Sequence, residues 1–434
     1  MSRYTVIGNS VAAIAAVEAI RSVDTRSEIT LVSEEPYHAY SRPLISHFLA
    51  GKVDESKMLY RPADFYERHG VRALLGRRVE RVDAANRKLV LAKAGCASFA
   101  SGGGVELGFE KLLIATGARP VIPPIEGLDK VRYHTFTKWD DARAIRHELS
   151  SSKRPVVLGG GLIGIKAAEA IAALGFEVTV VELARTILPM ALDVKASAIM
   201  QRAAASAGIE CITENTIVSV GSAYGSPKSV TLKDGRTLPC DLLIVAVGVR
   251  PNVGLIAGSG IELGRGIKVD VHLRTSVEGI YAAGDVAEGY DPLHGLARVV
   301  PIWPNGYVQG KIAGRNMAGA TEAFRGSINM NSIEINHVPV ISVGLSNEES
   351  DDLEVLVREE PARSYYRKIV LRRDALVGAI LVNCIDRAGI LTGLITDRVN
   401  VSCFKEALLE DSFGYLSLPK QVRRARLEKL GFMA

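Results

Sequence analysis

The amino-acid sequence predicts an α/β fold with two Rossmann-like, parallel-sheet units and a smaller α+β domain after them. Three observations predict it. First, "YTVIGNS…AVEAIRS…EITLVSEE" (4–35) and "PVVLGGGLIGIKAAEAIAALGFEVTVVE" (155–182) repeat one plan: apolar strand, small-residue turn, alanine-rich helix, apolar strand ending in acid. Continuous apolar runs alternating with helical patterns indicate parallel strands covered on both faces. Second, each unit is followed by a related strand and turn, "FEKLLIATGARP" (109–120) and "CDLLIVAVGVRP" (240–251). This internal repeat implies two nucleotide-binding domains of similar build. Third, the texture changes after about 320. "SINMNSIEINHVPVISVGL" (327–345), "LEVLVRE" (353–359) and "YYRKIVLRRDALVGAILVNC" (365–384) read as antiparallel strands, with helical patterns beyond 385.

Bulk properties agree with this division. A chain of 434 residues exceeds one ordinary core, and 47% hydrophobic with 23% charged residues describes a globular protein. A formal charge of +5 gives little reason to expect nucleic acid. The basic stretch "KQVRRARLEKL" (420–430) reads equally as a solvated helix face or a docking surface. Cys96, Cys211, Cys240, Cys384 and Cys403 are scattered, without a C-x-x-C pair or a cysteine–histidine cluster. That spacing argues against protein-held iron–sulfur or zinc sites and for a reducing compartment, so the expected location is the cytoplasm. No apolar run is long enough to span a membrane. The apolar N-terminus lacks a basic leader, and Glu18 interrupts it, so it reads as mature structure. The Pro-rich "RPVIPPIEG" (119–127) suits a crossing between domains, and the glycine-rich "ASGGGVELG" (100–108) a hairpin turn or loop.

The second loop carries a complete dinucleotide fingerprint, Gly159-x-Gly161-x-x-Gly164, between the strand "PVVL" and the helix "IKAAEAIAAL". Gly159 permits a tight turn, Gly161 lets the backbone approach a pyrophosphate, and Gly164 allows close helix–strand packing. Leu162 and Ile163 fill the intervening positions at the helix N-terminus, where unpaired N–H groups favour an anion. Glu182 ends the next strand, placed to hold both hydroxyls of an adenosine ribose and to disfavour a 2′-phosphate; Arg185 softens that preference. NAD(H) is the expected occupant, the competing reading being a glycine-rich packing turn.

The first loop keeps only Gly8; Ser10 replaces the second glycine and Ala13 the third. Alanine at the third position is within the fingerprint. The Ser10 hydroxyl is placed to donate to a phosphate oxygen, and the acid after the next strand is Glu34 or Glu35. Alone, this stretch reads equally as a phosphate loop or an alanine-rich helix turn. The turns Ala115-Thr116-Gly117 and Gly248 close the two repeats, and a further strand ends at Gly284-Asp285. Asp285 alone reads also as a helix cap after a buried strand.

Together, in this order over about 1–320, these residues resemble the FAD-dependent pyridine-nucleotide oxidoreductases. The resemblance implies FAD in a discontinuous domain (1–118 and 246–320), NAD(H) in an inserted domain (119–245), and a C-terminal interface domain (321–434). It implies that the Gly8–Ala13 loop binds the FAD pyrophosphate and that Asp285 accepts a hydrogen bond from a ribityl hydroxyl. Disulfide reductases of this family carry two cysteines beside the flavin, and NADH oxidases and peroxidases one. The corresponding stretch here, "PYHAYSRPLISHFLAGK" (36–52), has none. Thiol chemistry is therefore not expected there. Its Tyr40-Ser41-Arg42-Pro43 is similar to nitrite and rubredoxin reductases, which implies that Arg42 supports the charge of reduced flavin; the plain alternative is a surface turn.

Where many relatives have Tyr and Glu in the second loop region, this chain has Leu162 and Lys166; the lysine is a catalytic candidate that either contacts NAD or balances a nearby acid, with Glu169 at i,i+3 as its partner. "VPIWPNGYVQGKIAGRNMAG" (300–319), beginning at Pro301 and Trp303, resembles the helix whose N-terminus faces the flavin pyrimidine. "YSRPLIS", "IEINHVPVISVGL" and "DRAGILTGLITDRVNVSCFKEALL" resemble a narrower group, the FAD/NAD subunits of multi-subunit redox enzymes of the phenylglyoxylate dehydrogenase kind. That likeness implies iron–sulfur and thiamine-diphosphate-containing subunits as partners, and hydride exchange carried by the cofactors rather than by a protein nucleophile. The rival expectations are a stand-alone rubredoxin, ferredoxin or nitrite reductase-like enzyme or NADH oxidase, and a non-catalytic flavin-binding scaffold.

Overall fold

A computed structural model describes residues 2–92 and 105–429. Cys96 and residues 100–104 of the glycine-rich tract lie outside the described residues. The chain divides into two compact units: 1–121, 137–142 and 249–327, and 122–136, 143–248 and 328–434.

The first unit is built on a parallel sheet. Strand Ser2–Ile7 lies between Ile29–Ser33 and Val105–Ile114, with Val71–Leu75 beyond the first and Ile280–Ala282 beside the second. Its central strands are apolar on both faces: the helices Val11–Arg21 and Trp303–Met317 cover one, the strands Val79–Asp83 and Lys88–Leu91 with Leu255, Ile256 and Ile261 cover the other, and Ile29–Ser33 is buried at every position. The helix Val11–Arg21 is buried at every residue except Glu18 and Arg21. Its alanines let a second helix, Trp303–Met317, lie on it: a Cβ at Gly310 or Gly314 would overlap the backbone of Ala12 or Ala16. The core on this side joins Tyr4, Val6, Ile14, Leu31 and Met317. Each such fully buried apolar side chain contributes about 1.5–3 kcal/mol.

The second unit holds the other parallel sheet, in the order Ile209–Ile212, Val178–Val181, Pro155–Leu158, Leu242–Val245. A three-stranded antiparallel meander, Ile217–Ala223, Ser226–Leu232 and Thr237–Pro239, closes one core with it. The same unit contains the C-terminal antiparallel sheet, ordered Met330–Ile335, Val338–Gly344, Ala375–Val382, Tyr365–Arg372, Leu353–Glu360. Short helices Ala388–Thr396 and Lys420–Lys429 follow.

Two features of this division differ from the linear segmentation read off the sequence. Residues 137–142 belong with the first unit, because Thr137, Trp139 and Asp140 bond to Arg42, Tyr40 and Tyr37. The C-terminal sheet groups with the inserted sheet, because its side chains bond to residues 189–195.

Candidate functional site

The two loops share one construction. Gly8 N donates to Val32 O and Gly159 N to Val181 O, each at 2.8 Å, and Ala115 N and Ala246 N return to Ile7 O and Leu158 O at 2.8 and 2.7 Å. Gly8 and Gly159 have φ of 116° and 109°, the left-handed region that favours glycine. A Cβ on either would overlap the carbonyl of Ala115 or Ala246, so each first glycine backs onto the matching alanine of its own repeat.

The second and third positions explain the altered first loop. Ser10 and Gly161 both stand at helix N-caps with extended backbone, φ −115° and −75°. A Cβ at Gly161 meets nothing within 4 Å, so the protein's own packing does not demand glycine there. The Ser10 hydroxyl makes no capping bond. Gly164 needs to be glycine, since a Cβ would overlap the Gly159 carbonyl, whereas Ala13 is fully buried in its place.

Around the first loop the fold gathers several residues singled out in the sequence. Gly284 lies against Ala12 and Gly306, and its N–H donates to the buried Gln309 Oε1 at 2.8 Å. Asp285 follows, half-buried, and desolvation pushes its carboxyl up to about 6 while Arg42 pulls it down. No described residue donates a hydrogen bond to that carboxylate. A half-buried carboxylate without a hydrogen-bond donor is costly unless a hydroxyl or similar group completes it. Thr116 Oγ1 donates to Asn252 O at 2.8 Å, and Asn252 N to Gly117 O at 2.9 Å. Ala118–Pro120 pairs antiparallel with Val249–Pro251, so the tails of the two sequence repeats zip to one another. Trp303, the first residue of its helix, meets Tyr60 edge-on with ring centroids 5.1 Å apart, and Pro301 is exposed before it. Asn305 of the same helix donates to Val300 O, while its Oδ1 is buried without a partner.

Arg42 opens a short 3-10 turn, Arg42–Leu44, that includes Pro43. Its guanidinium pairs with Glu35, donates to Thr137 O at 2.8 Å and lies over the Tyr40 ring at 5.2 Å. Burial opposes its charge, but Tyr40 and Glu35 hold the pKa above the ordinary arginine value. Tyr40 donates to Glu35 at 2.6 Å and receives the Trp139 N–H at 3.1 Å. Of the two acids expected at the ribose, Glu35 therefore turns inward and is committed to Arg42 and Tyr40. Glu34 remains exposed, 3.7 Å from Lys138.

In the second unit, Glu182 accepts from Gly160 N at 2.5 Å and Ala184 N at 2.7 Å, which fixes the carboxylate beside the loop. A Cβ at Gly160 would lie 2.9 Å from Glu182 Cβ, so this glycine makes room for the acid. Leu162 and Ile163 are half-buried on the first turn of the helix Leu162–Ala172. Lys166 pairs with Glu169, the expected i,i+3 partner, and both are partly buried. Gly248, φ 118°, ends this side of the repeat.

Sequence reading passed over Gln309, Asn9 and Trp139. Asn9 braces the first loop by donating to Tyr37 O and accepting from Tyr66. One signal was visible: Gly306, Gly310 and Gly314 recur every four residues, the spacing of a helix face meant for close contact. Among the described residues, no group of histidine, cysteine, aspartate and glutamate has the arrangement of a metal site, and no helix is long and apolar enough to cross a membrane.

Two glycine-turn loops, each at the carboxyl end of a parallel sheet, with an acid after the neighbouring strand, define a protein of the two-dinucleotide class. The chain belongs to the pyridine nucleotide-disulphide oxidoreductase family, whose model matches residues 2–310, and its residues 330–399 match the rubredoxin NAD+ reductase C-terminal domain. It is an FAD-dependent oxidoreductase of NAD(H). The NADH-dependent phenylglyoxylate dehydrogenase subunit epsilon of Aromatoleum evansii is 34% identical over 92% of this chain and 93% of that protein. The nitrite reductase [NAD(P)H] of Bacillus subtilis is 32% identical over 92% of this chain but only 48% of its own length, so the chain spans about half of that relative. The structure of a NAD-dependent persulfide reductase from A. fulgidus superposes with a TM-score of 0.86, at 24% identity, over 99% of this chain and 84% of that one.

Proposed function

We propose that this chain is the FAD- and NAD(H)-binding subunit of a larger redox enzyme, passing electrons between NAD(H) and an iron–sulfur partner. The observation that carries the reading is the stretch 36–52. It holds the ion-paired Arg42 and contains no cysteine, so an electron pair has no protein thiol there to receive it. Bound FAD supplies the hydride chemistry and the exchange between two-electron and one-electron steps. The chain supplies the setting. Gly8, Ser10 and the first turn of Val11–Arg21 offer N–H and O–H donors to a pyrophosphate. Asp285 receives a hydroxyl, and Arg42 and the N-terminus of Trp303–Met317 set positive potential for a reduced, anionic ring. In the second unit, Gly159, Gly161 and Gly164 shape the NAD(H) pyrophosphate turn and Glu182 takes the ribose.

The finer reading is that the electrons come from a thiamine-diphosphate-dependent 2-oxoacid oxidoreductase of the phenylglyoxylate type, acting in the cytoplasm. Its support is the near full-length likeness to the epsilon subunit. A second reading, a stand-alone ferredoxin- or nitrite reductase-like enzyme, draws support from the match to the nitrite reductase chain. Purification from the source cell, with an absorption spectrum and NADH titration, decides between them. A yellow chain bleached by NADH and co-eluting with thiamine- and iron–sulfur-containing subunits is expected. A bleachable chain eluting alone supports the second reading, and a colourless chain removes the cofactor assignment.

A further inference from the structure

The segment between Glu182 and the helix Val194–Ser206 is held on one side by a backbone bond to the nucleotide loop and on the other by side chains that the nucleotide fingerprint does not include. On one side it grips the loop itself: Leu188 N donates to Gly160 O at 2.8 Å, from a residue whose φ of 54° is left-handed although it is not glycine. Such a conformation persists only where the surroundings over-determine it. The buried Ser197 Oγ donates to Ile187 O at 2.7 Å from the following helix.

On the other side the C-terminal sheet grips the same segment. Asn347 Nδ2 donates to Pro189 O at 2.7 Å. Asp193 is the N-cap of Val194–Ser206, and its Oδ1 accepts from Ala196 N at 3.0 Å. Its Oδ2 accepts from Tyr366 OH at 2.7 Å and lies 3.1 Å from Lys368 Nζ. Lys368 and Tyr366 are both buried, on the strand Tyr365–Arg372 between Ala375–Val382 and the edge strand Leu353–Glu360. Burial, reinforced by the bond to Asp193, holds the Tyr366 hydroxyl far above the usual phenol range, so it remains a donor. The Lys368 ammonium leaves the sheet that carries its backbone and is placed on a helix-capping aspartate. Its effect falls on the position of residue 193 and of the segment behind it.

We propose that Asp193, Asn347, Tyr366 and Lys368 form a strut through which the C-terminal sheet positions the Gly160–Glu182 turn and so sets the affinity for the nicotinamide dinucleotide. These are positioning residues. The inference rests on the reading of residues 159–164 and 182 as the NAD(H) site. It makes the C-terminal domain part of the nucleotide site's machinery, and anything that shifts that sheet shifts NADH affinity by linkage.

The test uses the FAD-loaded protein and NADH itself. Lys368→Met is expected to raise both the NADH Kd and KM about tenfold, equivalent to about 1.4 kcal/mol. The kcat at saturating NADH and the flavin absorbance should stay at wild-type values, and Lys368→Arg should restore most of the affinity. A merely structural role would lower kcat and flavin content together with affinity, and would overturn the proposal. Asn347→Ala removes one donor at the other grip and carries the same expectation should Lys368→Met fail to fold. Glu182→Ala separates the two levels of the argument. Should it weaken NADH while Lys368→Met and Asn347→Ala stay within twofold of wild type, the strut is wrong and the site stands. Should Glu182→Ala also leave NADH binding unchanged, the site reading fails and the strut with it.

Discussion

Gly310→Ala tests the seat on which the flavin-facing helix is proposed to rest. In the first unit, a Cβ at Gly310 would lie 2.8 Å from both the carbonyl carbon and the Cα of Ala12, and closer still to the carbonyl oxygen. Those atoms are backbone of a buried helix and have no rotamer to escape into. The two helices must part by about 1 Å to recover the 3.5–4.0 Å of ordinary carbon contact. Overpacking of this kind costs about 1–3 kcal/mol, and a fixed backbone obstacle puts this site at the upper end. Replacing a mid-helix glycine by alanine returns about 1 kcal/mol, which leaves a net loss of about 2 kcal/mol. At about 2–4 °C per kcal/mol for units of this size, the thermal midpoint falls by about 4–8 °C. The same displacement draws Gln309 from the Gly284 amide, whose bond is 2.8 Å, so the flavin-to-protein absorbance ratio falls as well. The matched control is Gly389→Ala in the helix Ala388–Thr396, where nothing lies within 4 Å of the added methyl and φ is ordinary. That change should leave the midpoint unchanged or raise it. If Gly310→Ala melts at or above the wild-type temperature with full flavin, the close-contact argument is refuted.

Three further outcomes follow from the same geometry. Ser10→Gly should keep FAD bound, because residue 10 has an ordinary extended backbone and makes no cap bond, whereas Ser10→Trp should purify without flavin; equal yellow colour in both would remove Ser10 from the pyrophosphate site. Asp285→Asn should trade FAD affinity for apoprotein stability. Burial raises the carboxyl from 3.8 to about 6, so the folded chain holds the proton more tightly than the unfolded one. Its penalty is absent below 3.8, grows between 3.8 and about 6, and is complete above, roughly 2–3 kcal/mol in all. Apoprotein melts should therefore show the asparagine variant gaining on wild type as pH rises through that window; parallel curves would contradict it. Glu35→Ala strips Arg42 of its carboxylate and Tyr40 of its acceptor. A loss of about 1.5–3 kcal/mol, the worth of a charged hydrogen bond, is expected by thermal melt, together with a shifted flavin potential by redox titration. An unchanged melt and potential would uncouple Glu35 from Arg42.

Much of the site was legible because dinucleotide turns are local. The strand, the first glycine and the helix that follows lie within about ten residues, and φ at Gly8 and Gly159 is dictated by that tight turn. The repeat "LLIATGARP"/"LIVAVGVRP" was equally plain, and its alanines Ala115 and Ala246 prove to be the floors beneath the two first glycines. Even the oddity at Ser10 needed little beyond sequence, since an N-cap with extended backbone accepts serine readily.

Other features could be decided only by bringing distant segments together. Sequence could not choose between Glu34 and Glu35, because the choice depends on Arg42 and Tyr40 claiming one of them, with Thr137, 95 residues on, holding the guanidinium from the other side. Nor could it show that Asp193, which reads as a plain helix cap, also takes a tyrosine hydroxyl from 173 residues away and a buried ammonium. A sequence pattern records what the backbone must do within a turn or two. A buried charge has to find its partner wherever the chain delivers one, so only the tertiary structure decided which acids are already committed to the protein.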